Sequence, residues 1–98
     1  MTLADIRNTV LGNRQTIRNF GVREIGFFGS FVRGEQRADS DIDLLVVFED
    51  GQLSFRHYMD LCFYLEDLLG RKVDVLTPEQ ISPHIMPYVQ NNIKYVTV

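Results

Sequence analysis

Residues 41–48 read DIDLLVVF, and the change of character within that stretch restricts the fold more than any other part of the chain. Its second half is continuously apolar, which predicts a strand covered on both faces. Its first half sets Asp41 and Asp43 two apart, so on an extended chain both carboxylates leave one face, roughly 6–7 Å apart, while Ile42 enters the other. Such a strand belongs inside a sheet, with two acids carried to its rim. Further strands and a helical layer then have to fit within 98 residues, a length that predicts one domain, 1–98, near the lower limit for a self-sufficient core.

The remaining segments supply those layers. Thr2 and Asp5 have the spacing of a capping box, and Leu3, Ile6, Val10, Ile17 and Phe20 recur near helical period, predicting a helix over about 3–20 that stops at Gly21. EIGFF (24–28) is a short glycine-bounded apolar run, the first strand. After the turn signal Glu49-Asp50-Gly51, Ser54 can cap a helix in which Phe55, Tyr58, Met59, Leu61, Cys62, Leu65, Leu68 and Leu69 form the buried arc and Gly70 the stop. Phe63 and Tyr64 fall outside that arc and point to a contact with a partner. KVDVLT (72–77) alternates as a third strand ended by Pro78. Short helical pieces follow near 78–81 and 84–91, and IKYVTV (93–98) is either an edge strand or a frayed tail. The expected fold class is therefore α/β (α+β): a small mixed sheet with helices packed mainly on one face.

Composition excludes several kinds of function. With 45% hydrophobic and 23% charged residues the chain reads as a soluble globule. Its apolar runs fall far short of the ~20 residues of a membrane span, and the start MTLADIRNTV has neither the basic nor the apolar region of a signal peptide. One cysteine, Cys62, forms no internal disulfide; a cytoplasmic address is the expectation. A net charge of −3 argues against direct nucleic-acid binding, which needs a basic footprint.

The chemistry concentrates in GSFVRGEQRADSDID (29–43). Gly29-Ser30 lies where the first strand turns into a short segment, so backbone N–H groups face outward and glycine admits a ligand close to the chain. That geometry suits a phosphate. Asp41 and Asp43, neighbouring carboxylates at the start of a buried strand, repel one another and favour a bound cation. Magnesium is the natural one, because it takes a few carboxylates together with water and substrate phosphate oxygens. Asp74, between Val73 and Val75, points to the face opposite theirs and meets the pair if its strand lies beside that of Asp43. Arg33, a turn beyond Ser30, and Arg37 are candidates to steady outer phosphates.

Gly29-Ser30, ten residues, Asp41-x-Asp43 and a later strand carrying Asp74 together resemble the signature of the DNA polymerase β nucleotidyltransferase superfamily. Within it, the short chain is similar to the minimal nucleotidyltransferases, antitoxins of HEPN-domain toxins, over nearly its whole length. That resemblance implies roles residue by residue: Gly29 and Ser30 toward the nucleotide phosphates, Asp41 and Asp43 toward two Mg2+ ions, Asp74 toward one of them and toward the acceptor hydroxyl. It implies ATP as substrate, and AMP transfer to tyrosine hydroxyls of a HEPN toxin encoded by the neighbouring gene, as in a type VII-like toxin-antitoxin pair. A homodimer is compatible with it.

Rival readings stay open on the sequence alone. Gly29-Ser30 is alternatively a turn, Asp74 a carboxylate paired with Lys72 on an exposed face. His57 and His84 lack partners at metal-ligand spacing, and Cys62 reads as a small core hydrophobe. The acceptor is alternatively a small hydroxylated molecule, as for the antibiotic nucleotidyltransferases whose extra domain is missing here. A contact-only antitoxin, binding through Phe63, Tyr64 and the C-terminal segment, is the remaining alternative.

Overall fold

The computed structural model describes residues 2–29, 32, 34, 37, 41–84, 86–87 and 93–98. Its first helix opens with the capping box anticipated from Thr2 and Asp5. The Asp5 N–H donates to Thr2 Oγ1 at 3.2 Å and the Thr2 N–H to Asp5 Oδ2 at 2.8 Å, satisfying two amide donors that a helix start otherwise leaves orphaned. The bond from the Thr2 N–H stabilises the ionised carboxylate, so Asp5 titrates below its usual range.

The single helix expected over 3–20 is two: α1, Leu3–Gly12, and α2, Arg14–Asn19. Asn13 divides them at φ −119°, ψ 18°, and its side-chain amide donates to the Thr9 carbonyl at 2.8 Å. A short polar side chain that bonds its own backbone competes with the helical ladder. The apolar period survives the break, since Ile6, Val10 and Ile17 are all buried.

Strand β1, Val22–Phe28, and strand β2, Ile42–Phe48, pair antiparallel from Val22 opposite Phe48 to Phe28 opposite Asp43, with a register shift between Val22 and Glu24. Helix α3, Phe55–Leu69, starts at Ser54, whose side chain accepts from the His57 N–H at 3.1 Å, and ends at Gly70 in the left-handed conformation, φ 66°. Strand β3, Val73–Leu76, runs parallel to β2. A 3₁₀ turn, Pro78–Gln80, follows, and strand β4, Lys94–Thr97, pairs antiparallel with β1. The sheet order is β3-β2-β1-β4, so IKYVTV is an edge strand. The helical piece expected over 84–91 lies largely outside the described residues.

Register divides the sheet into two faces. Ile25, Phe27, Ile42, Leu44, Val46, Val73, Val75 and Val96 share one, and they form a single buried cluster with Ile6, Val10, Ile17, Leu61, Leu65 and Leu69 of the helices. The helices thus cover one face, as the patterning predicts. On the other face Leu45 is also buried, so the centre of β2 is covered on both sides.

Two aromatic residues of α3 depart from their expected places. Phe55, assigned to the buried arc, is 82% exposed, because the first helical residue precedes the turn that meets the core. Tyr64, assigned outside it, packs against the core cluster and stacks on Phe20 with ring centroids 5.3 Å apart. Phe63 is exposed, as anticipated.

Candidate functional site

The face opposite the helices carries the acids. In the parallel β2–β3 ladder Asp43 stands directly beside Asp74, and residues paired in this way send their side chains to the same side of the sheet. The lone aspartate of KVDVLT and the second aspartate of DID are thereby brought together. Asp41 sits one residue before β2, half-exposed, where the Ile42 N–H donates to the Lys72 carbonyl at 3.0 Å and ties the two strand starts.

Gly29 closes the other side of Asp43. Its backbone has φ +80°, which L side chains rarely adopt, and a Cβ built there would lie 2.9 Å from Asp43 Cγ and closer still to Oδ2. Glycine is required on both counts, backbone conformation and direct approach to the carboxylate. The Val32 N–H donates to the Gly29 carbonyl at 3.2 Å, closing a turn after β1. Ser30 and Arg33, the other expected phosphate contacts, lie outside the described residues. Arg37 is described, and its backbone carbonyl accepts from Arg71 Nη1 at 3.4 Å, which links the loop before β2 to the turn before β3.

A depression of about 400 Å³ wraps the outer edge of β3, lined by Asp43, Asp74, Tyr58 and Cys62 among others. Tyr58 and Cys62 entered the sequence reading only as core-stripe residues of α3. Both are half-buried, and the four-residue step between them at the margin of the apolar stripe is the one signal that could have marked them. Burial raises the Tyr58 hydroxyl above its usual range, with the nearby Cys62 and Asp74 adding to the shift. Burial also raises the Cys62 thiol, which keeps it protonated and unreactive at neutral pH.

The aspartates offer hard oxygen donors, suited to Mg2+ and poor for softer metals. No three His, Cys, Asp or Glu side chains among the described residues form a ready-made cation cage.

A small mixed sheet backed by helices, with a glycine turn abutting an acidic pair on its opposite face, defines a phosphate-handling α/β domain. The chain belongs to the nucleotidyltransferase domain family, whose model matches residues 13–96. Its relatives include the protein adenylyltransferase MntA of Thermococcus cleftensis, 41% identical over 97 residues that cover 98% of this chain and 97% of the relative. Among solved structures it is similar to one proposed to be a minimal nucleotidyltransferase, with TM-score 0.82 and 33% identity over 96% of this chain and 95% of that one. It is also similar to a toxin-antitoxin structure with AMP-PNP, with TM-score 0.71 and 26% identity over 90% of this chain and 69% of that one. The minimal nucleotidyltransferase resemblance read from the motif is therefore upheld, and so is the fold expected from it.

Proposed function

We propose that this protein is a Mg2+-dependent AMP transferase and the antitoxin of a toxin-antitoxin pair, moving AMP from ATP to a tyrosine hydroxyl of a HEPN-domain toxin. The observation that carries this reading is the placement of Asp43 beside Asp74, with Gly29 held against Asp43. The adenylyltransferase name of the Thermococcus relative supports AMP as the transferred group. The toxin-antitoxin structure with AMP-PNP supports ATP and a protein acceptor.

In this reading the turn at Gly29-Ser30 holds the triphosphate by backbone N–H groups and the Ser30 hydroxyl, with Arg33 at the outer phosphates. Asp41, Asp43 and Asp74 would hold Mg2+, which when bound neutralises triphosphate charge and favours in-line displacement at phosphorus. The acceptor oxygen forms a bond to the α-phosphorus, the bond from that phosphorus to the α–β bridging oxygen breaks, and pyrophosphate leaves. Asp74 takes the hydroxyl proton. A tyrosine hydroxyl begins near pKa 10, so a carboxylate beside it is needed for attack at neutral pH.

Intact-mass analysis tests the proposal. The neighbouring gene's product, co-expressed with the wild-type chain, should gain one or more AMP groups, and none with the Asp41→Asn, Asp43→Asn double variant. Equal labelling by both chains would remove the acids from the chemistry.

A further inference from the structure

We propose that Tyr58 and Glu66 are positioning residues that hold Asp74 level with Asp43 by pinning β3 on either side of it. The inference rests on the AMP-transfer reading and extends it to residues outside the signature. Among the described residues strand β3 pairs only with β2, so none of them adds a strand to its outer edge. The Ile42 N–H bonds to the Lys72 carbonyl, which sets the alternation of the ladder. Lys72 and Asp74 direct their backbone polar groups toward β2; Val73 and Val75 direct theirs outward. Unpaired edge groups of this kind cost stability and invite foreign strands.

Helix α3 supplies a partner at each of those two residues. Glu66 Oε2 accepts from the Val73 N–H at 3.2 Å, and the Tyr58 hydroxyl donates to the Val75 carbonyl. Asp74 is the residue between them. Just past the strand, Gln80 Oε1 accepts from the Thr77 N–H at 3.0 Å, so side-chain anchoring continues beyond its end. A strand of four residues, Val73–Leu76, has a short ladder, and two side-chain anchors around its central acid decide how far that acid reaches toward Asp43. The Tyr58 ring and both acids line the same depression.

The test compares Tyr58→Phe, Glu66→Ala and Glu66→Gln, with Asp74→Asn as the inactive reference, in full-length chains checked by thermal melts. The substrates are ATP, Mg2+ and the toxin labelled in the preceding experiment. Tyr58→Phe and Glu66→Ala should lower kcat about 10- to 100-fold, the scale of a small misplacement of a reacting group, with KM for ATP unchanged. Glu66→Gln keeps an acceptor for the Val73 N–H and should restore kcat toward wild type. In Glu66→Ala the Val73 amide should also exchange its hydrogen faster, a readout independent of turnover. Wild-type kcat in Tyr58→Phe and Glu66→Ala while Asp74→Asn is inactive would overturn the positioning role alone. So would a Glu66→Gln variant as slow as Glu66→Ala, or unchanged Val73 exchange. A wild-type chain that transfers nothing would overturn the transfer reading and this inference with it.

Discussion

At the scale of single residues, Gly29 makes the sharpest demand. Its positive φ would cost alanine about 1 kcal/mol or somewhat more, and the added Cβ would collide with the Asp43 carboxylate. The two effects have separate readouts. Gly29→Ala should lower the melting temperature by several degrees, at about 4–8 °C per kcal/mol for a domain of this size, yet reduce AMP transfer at least about tenfold, the scale of a displaced catalytic group. Transfer that falls no further than the melt explains would show that the tight approach to Asp43 has no catalytic part. The motif pointed to Gly29 as a place where a ligand nears the backbone; its contact with Asp43 involves a strand pairing and was invisible in the spacing.

At the scale of elements, the seam between α3 and β3 has a pH dependence of its own. Burial raises Tyr58 above its usual pKa, and burial with Glu24 raises Tyr95. A group raised in the folded state contributes stability that is complete below its unfolded pKa, about 10, and lost as pH rises through the higher folded value. Unfolding midpoints should therefore fall as pH climbs past about 10, and Tyr58→Phe should flatten that fall; a variant curve parallel to wild type would remove Tyr58 from it. The elements themselves were legible because apolar period is a local property: DIDLLVVF, KVDVLT and the α3 stripe each declare their type. What failed depended on side-chain partners that apolar period does not record. The break at Asn13 comes from a side chain turning back on Thr9. Tyr64 is held by Phe20, a residue of another element, and no helical wheel drawn on α3 alone contains it.

For the whole molecule, the sheet order separates two duties: helices and core on one face, acids on the other. Leu61 is fully buried in the shared cluster, and Leu61→Ala should cost about 2–5 kcal/mol of a total of about 5–15 kcal/mol for such a domain. A drop in melting temperature of about 10 °C or more is expected, whereas Asp41→Asn and Asp43→Asn should leave the melt near wild type. A core variant as stable as the wild type would contradict the single-cluster description. This division was legible in outline from Val73 and Val75 flanking Asp74, but the neighbour relation of β2 and β3 was not, since spacing along a chain does not state which strands lie side by side.

That neighbour relation has a consequence for synthesis on the ribosome. Parallel strands cannot be joined by a tight hairpin; the chain has to travel back through α3 before β3 can dock. A nascent chain that has emerged only as far as Phe48 carries the glycine turn and the first two acids without the third. Under the proposed AMP transfer, the acidic site would be complete only once β3 has docked, after most of the polypeptide has left the exit tunnel.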